Sequence, residues 1–435
     1  MKKLITIILA AGKGTRMNSS LSKVQHQLAN FSMLSHIIET SKKIKSNKII
    51  IVVNKLFVIP KKDSRSNIDY IVQRNQFGTG DAIKVCLSKI DKQNTKVLIL
   101  YADVPLISED SIKKVIKLNS KDEIKVLAFN KRENNNYGKL IIKNNIVEKV
   151  VEAREFKSKN QPIICNSGIF CASGESLLKL IPRIKNSNKK KEYYLTDFFQ
   201  LAFNDKYHTK VVYGSEEEFM GVNNKLELAE AEKLIQNKLR KKFLKQGVTL
   251  IDPDTIYFST DTKIGKDVTI YPNVFIGSKV EIGNGCTIHP FTHLDQCKIG
   301  KNVNIGPNAR VRPDSVLGDD VKIGNYVEIK KSKLGKGTKV NHLAYVGDSI
   351  LGKNVNIGAG VITCNYDGKN KYITKIGNDV FVGSNSSLVA PITIKDGAYI
   401  GSGSVISKNV SKDALALERN DQIEIKNWAK RKKAK

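Results

Sequence analysis

From Ile264 onward aliphatic residues recur at every sixth position: Ile264, Ile270, Ile276, Ile282, Ile288 and Leu294, then Ile299, Ile305, Val311, Leu317, Ile323 and Ile329. The series runs on through Leu334, Val340, Val346, Leu351 and Ile357, and again from Ile376 through Val382, Leu388, Ile394, Ile400 and Ile406. A smaller residue such as Val268, Val274, Val280 or Cys286 stands two places earlier, and Gly often follows, as in Ile264-Gly265 and Ile276-Gly277. Residues two apart on a strand point to one face, and Gly suits the bend beside them. Three six-residue sides close a triangular coil, and stacked coils pair as parallel strands about 4.8 Å apart. The pattern therefore predicts a parallel β-helix of roughly eight coils, on the order of 40 Å long. Five-residue steps occur at Leu294 to Ile299, Ile329 to Leu334 and Val346 to Leu351, after which the register returns. The polar stretch Cys364 to Lys371 reads as a loop thrown out of a coil, a place where a rigid scaffold carries function.

Before this repeat the grammar differs. Leu4 to Leu9, Lys48 to Val53 and Lys96 to Tyr101 are short apolar runs that read as strands buried on both faces, the mark of a parallel α/β sheet. Met33 to Glu39 and Ala82 to Leu87 have helical spacing between them. The stretch from Asn224 to Gln246, with Gly247 as a stop signal, predicts a connecting helix. Three parts follow: residues 1–224, a linker helix over 225–247, and 248–435, ending in a basic tail around Trp428 that we expect to lie solvated and partly disordered.

Lys+Arg 73 against Asp+Glu 42 gives a net charge of +31, which raises nucleic acid, anionic membranes or acidic small molecules as partners. Only eleven of those 73 are Arg, the residue that reads guanine edges and phosphates bidentately. Aromatic stacking clusters and helix-turn-helix patterning are also missing, so we expect no nucleic-acid partner. Met1-Lys2-Lys3 and the apolar run after it imitate a signal peptide, but the run is brief and enters Gly12-Lys13-Gly14 directly, so a buried strand fits better. No segment approaches about 18 consecutive apolar residues, and no membrane partner is expected. The six cysteines form no C-x-x-C pair and no zinc pattern, which predicts buried, reduced thiols in a cytoplasmic protein.

In an α/β sheet ligands gather beyond the carboxyl ends of the strands. There the segment from Leu9 through Ala10, Ala11 and Gly12 to Met17, followed by Lys23, sets a small-residue turn and several cations after the first strand, where polyphosphate can approach the main chain. It lacks the Walker ending, which disfavours a P-loop ATPase. Asp103, after the strand ending at Tyr101 and Ala102, is a candidate Mg²⁺ ligand. In the second half Arg312 and Lys330 put cations on the prism surface, and His342 is the best general-base candidate, since imidazole titrates near neutrality.

The phrase Leu9 to Met17 resembles the signature of sugar-1-phosphate nucleotidyltransferases. Gln73 with Gln76-Phe77-Gly78-Thr79-Gly80 resembles that family's uridine-reading segment, where a side-chain amide offers a donor and an acceptor to the uracil edge. Tyr101 to Leu106, Tyr137-Gly138, Glu152, Asn166-Ser167-Gly168, Glu192 to Asp197 and Gly221 to Asn224 match in order. With His342, Asn356 to Gly360 and Asn365 to Gly368, nearly the whole chain resembles the bifunctional bacterial family of N-acetylglucosamine-1-phosphate uridylyltransferase/glucosamine-1-phosphate N-acetyltransferases.

That resemblance implies an α/β Rossmann-like nucleotidyltransferase domain followed by a left-handed parallel β-helix, assembled as a homotrimer with acetyl-transfer sites between neighbouring prisms. It assigns the nucleotide to Leu9, Ala10, Ala11, Gly12, Lys23, Gln73, Gly78, Thr79, Tyr101, Ala102 and Asp103, with Arg16 and Lys23 catalytic. It gives the sugar to Gly138, Glu152 and Asn166, Asn223 as sugar-phosphate contact, and Mg²⁺ to Asp103 and Asn223. In the β-helix it gives the sugar phosphate to Arg312, Lys330, Tyr345 and Asn356, the base to His342, and acetyl-CoA to Ala359, Asn365, Tyr366, Ser384, Ser402 and Arg419. The implied reactions are acetyl transfer from acetyl-CoA to glucosamine-1-phosphate, then uridylyl transfer from UTP to N-acetylglucosamine-1-phosphate. Three positions depart from the family pattern: Ala102 stands where Gly is expected, Asp81 where His is familiar, and Ser402 where Ala is usual. Rival readings are a one-reaction nucleotidyltransferase whose β-helix only builds the oligomer, and a purely structural β-helix, which leaves the first half unexplained.

Overall fold

The computed structural model describes residues 3–59, 67–92, 94–131, 137–153, 155–156, 163–188 and 190–433. Lys189 of the basic loop at 188–191, Met1 and Lys2, and the last two residues of the tail lie outside them. Two compact units are present, Met1–Ile235 and Gln236–Lys435, and the division falls inside the helix Lys225–Lys245. Gly247, with φ of +88°, follows that helix as its stop.

In the first unit the apolar run after Lys3 is the central strand Lys3–Ala10, buried from Leu4 to its end. It pairs in parallel with Lys48–Asn54 on one side and Thr95–Tyr101 on the other. The sheet continues outward to Ile68–Gln73 at one edge and, through Ile163–Ser173 and Glu123–Lys131, to His208–Tyr213 at the other. Alternate side chains feed two apolar layers. Ile5, Ile7 and Leu9 pack with Phe170, Phe198 and Phe199, while Leu4, Ile8 and Ala10 pack with Leu34, Ile37 and Phe219. The sheet is mixed where the apolar runs predict a parallel one, because Ile163–Ser173 runs antiparallel to both its neighbours. The chain reaches it through the hairpin Lys139–Lys143 and Ile146–Val151, and an antiparallel neighbour needs no crossover helix. The second helix-like stretch is an α-helix over Thr79–Lys84 followed by a 3₁₀ turn at Leu87–Lys89.

The second unit consists of three parallel sheets of ten, eight and eight strands. Ile270 pairs with Ile288 eighteen residues on, Ile288 with Ile305 seventeen on, and Ile357 with Val382 twenty-five on, across the polar loop. The aliphatic series is buried throughout, apart from the half-buried Ile264 in the first coil. Small polar residues share the interior. Ser332, Ser349 and Ser386 each donate a hydroxyl proton to a nearby carbonyl, those of Lys330, Gly347 and Gly383, all at 2.8 Å. This satisfies oxygens that a wholly aliphatic filling leaves bare. The tail contains a short helix, Trp428–Lys433, where the charge run predicts partial disorder.

Five of the six cysteines are buried, and Cys364 is partly exposed. Burial pushes the Cys86, Cys171 and Cys297 thiols up to about 12. Thiolate is the reactive form, so at pH 8 a thiol reagent should titrate one group promptly in the native protein and six after denaturation. Prompt reaction of three or more native thiols would contradict this packing.

Candidate active sites

Three parallel strands of the first unit end together, at Ala10, Gln73 and Tyr101, and the loops beyond them enclose a cleft of about 560 Å³. Leu9, Ala10, Ala11, Gly12, Lys23, Gln73, Gly78, Thr79, Tyr101 and Asp103 all line it. Of the residues assigned to the nucleotide only Ala102 does not. Its methyl is buried in the apolar layer with Val104 and Leu100, and its N–H donates to the Leu9 carbonyl at 3.0 Å. Alanine in place of glycine therefore leaves the cleft open. Gly14, with φ of +65°, brings the turn against Lys23, where a Cβ would stand 2.6 Å from the lysine's own Cβ.

Lys23 is the hub of one polar cluster in the cleft. Its Nζ donates to Asp103 Oδ2 at 2.5 Å and to Asn223 Oδ1 at 2.7 Å, and Arg16 donates to that same amide oxygen at 3.0 Å. A backbone bond from Val222 N–H to the Asp103 carbonyl, 2.8 Å, holds the two segments together. One carboxylate and one amide oxygen thus converge on a single cation, and such hard oxygen donors suit a small divalent ion that takes its remaining ligands from water and substrate phosphates. No cluster of three or more His, Cys, Asp or Glu able to hold a metal occurs among the described residues, so the chain itself offers this two-oxygen set.

Glu152, Glu192, Tyr194 and Thr196 also line the cleft. Thr196 donates to Glu152 at 3.2 Å, and neighbouring Asp197 is held above the usual carboxylate range by burial and by the charges of Glu152 and Glu155. Gly138 and Asn166 are joined by a backbone bond of 2.8 Å. Two contacts have no signal in the sequence. Gln76 donates to the Ala11 carbonyl at 2.5 Å, and Asp81 accepts from Gln73 at 2.7 Å.

The second unit divides its predicted residues between the two edges of one prism face. That face carries the neighbouring strands Arg310–Val311, Glu328–Lys330, Tyr345–Gly347 and Ile362–Cys364. At one edge Arg312 is paired with Glu328 at 2.7 Å, Lys330 lies 3.4 Å from Asp348, and the buried Asn365 donates to that carboxylate at 2.5 Å. Lys371, from the thrown-out loop, reaches Lys330. The neighbouring Lys330 ammonium depresses Lys371. Sequence reading placed Lys371 in the loop but gave it no role. At the other edge, successive coils stack in a corner. The His342 carbonyl accepts from Gly360 N–H at 3.4 Å, Ala359 from Asn385 at 2.7 Å, and Ser384 from Gly403 at 2.8 Å, with Ser402 against Gly383. His342, Ala359, Ser384 and Ser402 thus form one column. Asn356 lies on the adjoining face beside Lys339, while Tyr366 and Arg419 are exposed.

Residues 6–183 match the model of the MobA-like NTP transferase domain, and residues 261–296 and 373–408 that of the bacterial transferase hexapeptide. The GMPPB C-terminal domain model matches residues 293–390. The bifunctional protein GlmU of Paramagnetospirillum magneticum is 42% identical over 436 residues, covering 99% of this chain and 97% of its own. That of Bradyrhizobium diazoefficiens is 45% identical, covering 96% of this chain and 94% of its own. The counterpart from Wolbachia pipientis wMel is 40% identical, covering 96% and 97%. The chain belongs to the bifunctional GlmU family. Membership makes it a bifunctional transferase for UDP-N-acetylglucosamine synthesis, joining an acetyltransferase to a uridylyltransferase. The stacked coils are those of a left-handed β-helix, and the nucleotidyltransferase half calls for a divalent metal ion. Its substrates are a nucleotide, sugar phosphates and acetyl-CoA.

The closeness of Gly14 to Lys23 gives a direct check. Gly14→Ala should lower uridylyl transfer by about 10- to 100-fold, the scale at which small misplacements act, while acetyl transfer stays unchanged. Equal activities in variant and parent would show that the turn does not position Lys23.

Proposed function

We propose that uridylyl transfer occurs in the cleft of the first unit and that Lys23, Asp103 and Asn223 form its centre. The observation that carries this reading is the single ammonium bonded to both oxygens. The phosphate oxygen of N-acetylglucosamine-1-phosphate attacks the α-phosphorus of UTP, and pyrophosphate departs. Mg²⁺, held by Asp103 and Asn223, supplies charge neutralisation of the phosphates when bound. Arg16 and Lys23 hold the polyphosphate and stabilise charge on the departing oxygens, so positioning and electrostatics supply most of the rate. Gln73 faces the uracil, and Glu152, with Gly138 and Asn166, receives the sugar.

Acetyl transfer belongs to the prism. His342 takes a proton as the amine of glucosamine-1-phosphate attacks the thioester carbonyl, the C–N bond forms, and the C–S bond breaks to release CoA. Acetyl-CoA runs along the Ala359, Ser384 and Ser402 column toward Arg419, where Ser384 offers a hydroxyl to the developing oxyanion. Arg312, Lys330, Tyr345 and Asn356 take the sugar phosphate, and Asn365 and Tyr366 at the loop contact acetyl-CoA. Because the cations and His342 occupy opposite edges of one face, a homotrimer in which edges of neighbouring prisms meet explains the separation. The enzyme works in the cytoplasm, where its acetyl-CoA and UTP are made.

Asp103→Ala should abolish pyrophosphate release from UTP and spare thiol release from acetyl-CoA, and His342→Ala should do the reverse. A chelator should act as Asp103→Ala does, with Mg²⁺ restoring the activity. Loss of both activities in either folded variant would refute the two-site assignment. Light scattering should give three times the 48.4 kDa chain mass, and a monomer active in acetyl transfer would remove the shared site.

A further inference from the structure

Gln73 ends the edge strand Ile68–Gln73 and is 3% exposed, with its amide at the cleft. An amide can be placed either way round unless its neighbours decide. Here they do. Nε2 donates to the Gly78 carbonyl at 3.1 Å and to Asp81 Oδ2 at 2.7 Å. Both partners are acceptors only, so the opposite orientation would set oxygen against two oxygens. With both of its N–H groups engaged, the amide leaves only Oε1 for a ligand. The donor-and-acceptor pairing with uracil expected from the sequence is thereby narrowed to an acceptor.

We propose that Asp81 is a specificity-determining positioning residue: by holding the Gln73 amide, it presents a lone acceptor to the base and so selects uracil over cytosine. The inference rests on the reading that Gln73 faces the uracil. Uracil carries a proton on N3, which Oε1 accepts, whereas cytosine N3 is a lone pair that Oε1 repels. Asp81 sits in the first turn of the helix Thr79–Lys84, half-buried, and touches the base only through Gln73. An ionised carboxylate holds an amide N–H more firmly than a neutral acceptor does. Without it the Gly78 carbonyl alone remains, and the amide is free to turn its N–H outward, where it matches cytosine N3.

The test measures kcat/KM for UTP and for CTP with N-acetylglucosamine-1-phosphate and Mg²⁺, using acetyl transfer by the same chain as the control for folding. In Asp81→Ala the preference for UTP should fall by about tenfold or more, the effect of replacing an aimed hydrogen bond by one that can turn, with the change in KM rather than kcat. Asp81→Asn, whose amide oxygen can accept the same N–H, should retain most of the preference. An unchanged preference in Asp81→Ala, or an equal loss with both nucleotides, overturns the proposal. Gln73→Ala separates the two levels. If it lowers the preference while Asp81→Ala does not, only the role of Asp81 fails. If it leaves the preference intact, the reading of Gln73 fails and the inference goes with it.

Discussion

Every coil of the second unit hangs on the next through backbone bonds, Lys322 N–H to the Thr338 carbonyl, Lys339 to Val355, Asn356 to Val380, each 2.8 to 3.0 Å long. The aliphatic side chains inside stop the coils from turning against one another, because an interior packed at crystal density has no room for a shifted methyl group. The outward residues inherit that rigidity. His342, Ala359, Ser384 and Ser402 stand in one column because the ladder places their corners over each other, and not because those four side chains hold together. The first unit achieves a similar result by different means, with three strands ending together, one ammonium tying the loops after Ala10 and Tyr101 to the Asn223 segment, and Gln76 joining the loop after Gln73 to Ala11.

The large positive charge finds only part of its use in these sites. In the proposed sites Lys13, Arg16, Lys23, Arg312, Lys330 and Arg419 would face phosphates or CoA, and four of the six are already shared with a carboxylate or an amide. Lys263, Lys298, Lys322, Lys333, Lys339 and Lys375 are exposed at outward positions of the coils, where any polar residue fits. Ion pairs among such residues, such as Lys263 with Glu281, contribute little to stability.

The prism was legible from the sequence because its signal is one-dimensional: a six-residue period sets the side, the corner and the interior together. The central strands of the first unit were legible for a related reason, since burial on both faces leaves continuous apolar runs. The antiparallel Ile163–Ser173 carries two shorter apolar runs split by Asn166-Ser167-Gly168, and direction leaves no trace in composition. Site residues that follow a strand, such as Asp103, could be placed from order alone. Contacts between distant segments could not, as with Gln76 reaching Ala11, Lys371 reaching Lys330, or Asp81 holding the amide of Gln73. Nor could the sequence say that the methyl of Ala102 turns into the core, which keeps it out of the cleft.

The spacing of paired residues in the prism has a wider consequence. Partners lie eighteen residues apart at Ile270 and Ile288, seventeen at Ile288 and Ile305, and twenty-five at Ile357 and Val382, yet each aliphatic residue meets an aliphatic residue. Alignment is kept by what each coil rests on, so chain length between contacts is free to vary at the corners. A loop can be lengthened, shortened or exchanged at one corner without disturbing the coils on either side. The scaffold can therefore acquire new surface chemistry one corner at a time, and the polar loop bearing Asn365 and Lys371 is such an addition.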